Sequence, residues 1–316
     1  MTGKALFDLG DERGVLRISI AVTVFVAAFG IIFGLLSRSF SIMFDGVYAL
    51  VDASMSVLAL LVVNLITSYA TATRLSRRLR ERFTMGFWHL EPMVLGLNGM
   101  LLIGVSCYAL INAIGSLLAG GHDLEFGFAI VYALVTFIAC VAIAVVESRA
   151  NRLIGSDFIR LDVQAWIMSG GITAALLVAF CLGYLVQETR WAWISPYIDP
   201  AVLALVCLVI IPLPVSSVRQ ALAEVLLVTP VDLMANVETV ADAMVKKYGF
   251  ESYRAYVAKV GRARQIELYF IVPPGMPARR MEDWDAIRDE VGDAIGDDNP
   301  DRWLTVVFTG DPEWAE

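Results

Sequence analysis

Asp45, Tyr48 and Asp52 are three polar residues set in the otherwise apolar stretch Ser41 to Ser56, SIMFDGVYALVDASMS. Spacings of three and four keep them on one helical face, and their surroundings are apolar enough to cross a bilayer. A carboxylate in hydrocarbon is expensive to place and usually functional. Seven residues of helix advance ~10 Å and rotate within about 20° of two full turns, so Asp45 and Asp52 share a face without reaching the same ion. Tyr48 and Asp52, at i and i+4, are close enough to act as a ligand pair. Asp45, more than a turn away, serves either as a proton shuttle or as an anchor for a neighbouring helix.

The spacing recurs in LDVQAWIMSGG, where Asp162, Ala165 and Ser169 stand three and four apart. If the two faces meet, they offer a phenol, a carboxylate, a hydroxyl and backbone carbonyls near Gly170-Gly171. This oxygen-only set carries one formal charge, which suits zinc poorly and a harder or less demanding ion better. Asp52 is then the central ligand, with Tyr48 and Ser169 adding neutral oxygens and Asp45 and Asp162 as outer and inner supporting carboxylates. The alternative is that these acids only tie helices together.

The rest of the chain has to hold these faces in a membrane. Hydrophobic residues make up 58% of the sequence and mean hydropathy is +0.69, which is a membrane composition. Spans are predicted at about 16–36, 41–66, 91–118, 126–147, 163–186 and 198–217, each near the ~20 residues a bilayer requires. The run TRLSRRLRER between the second and third spans holds five arginines, and SRANRLIGSDFIR between the fourth and fifth holds three. The opposite connections carry only Arg38 and Arg190, so the positive-inside rule puts both termini in the cytoplasm. Trp191, Trp193 and Tyr197 read as an outer interfacial belt. The first fifteen residues lack a signal-peptide pattern, so the first span is expected to be retained. Cys107, Cys140, Cys181 and Cys207 all lie in apolar stretches without C-x-x-C spacing and read as packing residues.

Ile211-Pro212-Leu213-Pro214 predicts a kink or an early end of the sixth span. After Thr229-Pro230 the composition changes, and residues 229–316 hold seventeen Asp/Glu against ten Lys/Arg. This acidic tail argues against nucleic acid and suits a surface that handles cations. Its order is helix, hairpin at Gly261, helix, strand: a small α+β unit with an exposed sheet edge that a second copy could cover. No phosphate-loop, dinucleotide, serine, cysteine or metalloprotease signature is present, so no enzyme activity and no cofactor are expected. Glu91-Pro92 reads either as a helix start or as a residue of ion access. His89 beside Trp88 reads first as an interfacial anchor, and His122 as a weaker candidate still. The arginine run reads as a topology signal that meets anionic lipid headgroups.

Taken together, the chain resembles the cation diffusion facilitator family over nearly its whole length. The resemblance rests on Ser39 through Asp52, on MGFWHLE with Glu91, on Asn98-Gly99, on Leu161-Asp162 and on the closing VVFTGDP. It implies an all-α six-helix transmembrane domain (16–228) after a short tail (1–15), and a ferredoxin-like α+β (αββαβ) cytosolic domain (229–316). It also implies a homodimer in the inner (plasma) membrane, exporting a divalent metal cation in exchange for protons. The family's four ligand places fall here on Tyr48, Asp52, Ala165 and Ser169, of which only Asp52 is a standard ligand. The tail contains no histidine, so its regulatory zinc cluster has no imidazoles here, although Asp311 remains. Atypical ion selectivity is the expectation that follows. A partner or scaffold subunit that has lost transport is the alternative.

Overall fold

The computed structural model describes residues 12–70, 81–83, 86–154, 157–296 and 301–316. Most of the arginine run (71–80) and part of the GDDNP loop (297–300) lie outside the described residues. The helices are α1 (Glu12–Ser37), α2 (Phe40–Ala70), α3 (Leu90–Leu118), α4 (Phe126–Ile154), α5 (Asp157–Val186), α6 (Ser195–Ile210) and α7 (Val215–Val225). They supply six segments long and apolar enough to cross a membrane. The sixth breaks where its prolines stand: Leu213 N bonds Ile210 O at 3.1 Å and Val215 N bonds Pro212 O at 3.3 Å. These i→i−3 turns carry the chain past residues that cannot donate, and α7 then resumes. The α5 helix begins five residues before Asp162, earlier than the apolar pattern alone suggests.

The chain divides into two compact units, one running to Val57 and resuming over Asn98–Ser216, the other comprising Leu58–Leu97 and Ser217–Glu316. In the first, α1 and α2 approach backbone to backbone. A Cβ on Gly30 would fall 2.9 Å from Gly46 Cα, and one on Gly34 2.6 Å from Met43 N. Without a hydrophobic drive between helices in lipid, such close approach through small residues is a main source of association. Helices α4 and α5 run antiparallel in continuous register. Phe126 packs on Phe180 and Gly183, Tyr132 joins the cluster of Leu176, Cys140 meets Gly170, Ala144 clusters with Trp166, and Ala150 with Ile159. The α1 helix lies along the same pair through Val15, Ile18 and Val22.

In the second unit, α8 (Val231–Tyr248), β1 (Ser252–Val260), β2 (Ala263–Ile271), α9 (Met281–Ile295) and β3 (Arg302–Thr309) form the ferredoxin-like domain. Strand order is β1-β2-β3, with β1 and β2 antiparallel and β2 and β3 parallel. Val260 pairs Ala263, and Gly261 at φ 60° makes the tight turn that only glycine adopts cheaply. Alternating β2 residues Ile266, Leu268 and Phe270 meet Val237, Ala241 and Met244 of α8 and Ile287 and Val291 of α9. Arg262 pairs with Glu91 at the start of α3 (Nε–Oε2 3.1 Å). Gly261 N donates to Glu224 Oε2 at 2.9 Å, and Lys259 Nζ lies 3.2 Å from the same carboxylate. Glu91 therefore sits at a helix start, one of the two readings its sequence allows, and also binds the hairpin.

Candidate functional site

The functional face of α2 is fixed at its first turn. Arg38 takes φ 55° and ends the turn from α1. Ser39 Oγ then accepts from Ile42 N at 3.1 Å, an N-cap for α2. Both Ser39 Oγ (2.5 Å) and Ser41 Oγ donate to Asp199 Oδ1, while Phe40 N donates to Oδ2 at 2.9 Å. Asp199, at the start of α6, is 1% exposed. His122 joins from the connection between α3 and α4: its Nε2 lies 3.4 Å from Asp199 Oδ2 and 3.0 Å from Arg38 O, and its Nδ1 lies 3.1 Å from Ser116 Oγ. The hydrogen bond to Asp199 raises the His122 pKa above its ordinary value, against the opposing effect of burial. The sequence reading missed Asp199; an Asp-Pro opening an apolar span was the available signal.

Asp45 accepts a 2.5 Å hydrogen bond from the hydroxyl of Tyr132, a fully buried α4 residue. The ring of Tyr48 lies 5.7 Å from that of Phe44 and packs beside the cluster of Ala109, Leu203 and Cys207. Asp52, one turn on, is its electrostatic neighbour and accepts a long 3.3 Å bond from Asn98 Nδ2 of α3. The other amide atom, Asn98 Oδ1, is buried without a hydrogen-bond partner. Asp162 of α5 lies within electrostatic reach of Asp52. Ser169 Oγ is 3.7 Å from Cys140 Sγ, which donates to it. Ala165 is exposed. The three acids thus meet different helices: Asp45 meets α4, Asp52 meets α3, and Asp162 lies toward Asp52. The one hydrogen bond found for the Ser169 hydroxyl leads to α4.

Glu147, also absent from the sequence reading, is fully buried in α4 beside Asp162. It ends the fourth predicted span, and the readable signal is an acid at helical spacing from Ile143 and Cys140. Chemically, the described residues offer the Asp52 carboxylate, the Tyr48 phenol and the Asn98 amide oxygen, an oxygen set for a cation. Among the described residues no group of three or more His, Cys, Asp or Glu gathers at one point.

Six apolar helices carrying intramembrane carboxylates, followed by a small ferredoxin-like domain, define a polytopic membrane protein of the ion-transport class. The family model of the cation efflux transmembrane domain matches residues 16–226, and the chain belongs to that family. Comparison with curated proteins gives no match.

Proposed function

We propose that the protein exports a divalent metal cation in exchange for protons, with an ion preference that departs from zinc. Asp52 is the central ligand and proton acceptor, Tyr48 and Ser169 add neutral oxygens, and Asp45 and Asp162 support it. The observation that carries this reading is Asp52 itself. It sits in an apolar span with one long hydrogen bond, from an amide, and among the described residues no basic partner in contact. Such an acid holds a proton or a cation rather than standing bare, because an isolated charge in a low-dielectric interior is prohibitively costly. Exchange of one for the other is the elementary step of an antiporter. The working assembly is a homodimer paired through the ferredoxin-like domains, whose sheet ends in the edge strands β1 and β3. The termini face the cytoplasm of a plasma membrane, following the arginine bias of the connections.

The test is flux in proteoliposomes across Mg, Mn, Fe, Co, Ni, Zn, Cd and Na. Asp52→Ala should abolish cation-dependent proton movement, and unchanged flux sinks the assignment. A second reading, a scaffold subunit without transport, draws support from the methyl of Ala165 and from the Ser169 contact with Cys140. Flux by the purified chain alone excludes it.

A further inference from the structure

Glu147 is the least satisfied acid among the described residues. It is 0% exposed, and neither Oε1 nor Oε2 has a hydrogen-bond partner. The helix register shows what it faces. Cys140 stands opposite Ser169 and Gly170, Ala144 clusters with Trp166, and Ala150 with Ile159. Continuing that antiparallel register sets Glu147 opposite Asp162, the partner its electrostatics name first. The α1 helix closes the third side. Ser19 is 4% exposed and its Oγ accepts from Trp166 Nε1 at 2.8 Å, which orients the hydroxyl beside Glu147. The electrostatic neighbours of Glu147 are Asp162 and Ser19, with no basic group among them.

Two carboxylates and a hydroxyl from three helices, set together in an apolar bundle, form a cradle for positive charge. We propose that Glu147, Asp162 and Ser19 form a second cation site, which shares the supporting Asp162 with the first site but uses neither Tyr48 nor Asp52, and that takes a hard divalent ion. The donor chemistry sets the class. All the atoms are oxygens and two are anionic, which suits manganese or magnesium and offers nothing to an ion that prefers sulfur or imidazole. The pair neutralises a divalent charge, whereas the set around Asp52 brings one carboxylate. Partly exposed Asp162 supplies access and also feels Asp52, so the second site stages an ion beside the first. That staging role rests on the transport reading above; the existence of the site does not.

The experiment is equilibrium binding of Mn2+ to the full-length protein in detergent, read from the electron paramagnetic resonance signal of free Mn2+. Wild type should bind Mn2+ at the pair. Glu147→Gln and Asp162→Asn should each weaken that component by at least the roughly 10–100-fold that loss of even an outer-shell partner costs a metal site. Asp52→Ala should leave it in place. Glu147→Leu removes an unpartnered buried charge in favour of an apolar side chain, so it should hold or raise the melting temperature while losing the same component. Wild type that binds no Mn2+, or a Glu147→Gln isotherm that overlays wild type, overturns the proposal. In the latter case Glu147 is simply a protonated acid. Failure of the transport reading shows instead as unchanged flux in Asp52→Ala.

Discussion

Replacing Gly46 with alanine tests whether the acidic face is held by backbone contact between α1 and α2. The added Cβ would lie 2.7 Å from Ile31 N, 2.8 Å from Ala27 O and 2.9 Å from Gly30 C. Ordinary contacts between heavy atoms fall at ~3.5–4.0 Å, so the helices must part by about 1 Å. All three neighbours are backbone atoms and cannot rotate aside. Overpacking of this kind costs ~1–3 kcal/mol. Alanine also returns part of that, since glycine within a helix is worse than alanine by roughly 0.5–1 kcal/mol. Gly104 and Gly115 of α3 isolate the clash, because a Cβ at either meets nothing within 4 Å. Gly104→Ala and Gly115→Ala should therefore be neutral or stabilising, and Gly46→Ala should fall below them by ~1–3 kcal/mol. Equilibrium unfolding in mixed micelles measures the difference. Flux measures the consequence, since Gly46 adjoins Asp45 and any shift displaces that carboxylate from Tyr132. If Gly46→Ala matches Gly104→Ala in stability and transports normally, the account of α1 against α2 is wrong.

Two further outcomes follow from contacts at the ends of the spans. His122 gains Asp199 as a partner, so its folded-state pKa is raised above the ~6.5 of an unperturbed imidazole. The stability it adds is complete below pH ~6.5 and is lost as pH climbs through the folded value. Wild-type melting temperature should decline across that window and His122→Gln should flatten the decline; parallel profiles would contradict the network. Arg262 and Glu91 are each about a third exposed (34% and 32%). After discounting for solvent, Arg262→Ala should cost no more than ~1 kcal/mol. The difference should shrink in high salt, as the melting curves of both proteins at low and high ionic strength will show.

The order of spans and the α+β tail were readable because both rest on local pattern. Twenty-odd apolar residues can only be a span or a buried helix, and β2 alternates Ile266, Leu268 and Phe270 inward with period two. The break at Pro212 and Pro214 was readable because proline lacks a donor wherever it stands. The acidic face of α2 was readable from spacing alone. Its partners were not, because they come from far along the chain. Tyr132 is 87 residues from Asp45, Asn98 is 46 from Asp52, and Asp199 is about 160 from Ser39 and Ser41. One-dimensional periodicity says which residues share a face and nothing about which helix that face meets. Gly30-Ile31-Ile32-Phe33-Gly34 was a readable small-x-x-x-small signal for the α1 contact, and Glu147 was hidden by its place at a span's end.

Hydrogen-bond satisfaction now separates acids that composition alone treats alike. Asp199 receives Ser39, Ser41 and the Phe40 amide, with His122 nearby. A carboxylate so fully supplied has little left to offer an ion, and its work is to pin α2 to α6. Asp45 has one strong donor in Tyr132, Asp52 one long bond from Asn98, and Glu147 none. A fold keeps a polar atom unpaired in an apolar interior only at a cost, so the acids with fewest donors are the candidates for holding a ligand. A scaffold that had merely inherited these positions would be stabilised by replacing Asp52 and Glu147 with apolar residues of similar size. Retention of both, next to an Asp199 that shows how thoroughly this bundle can satisfy an acid, favours transport over scaffolding.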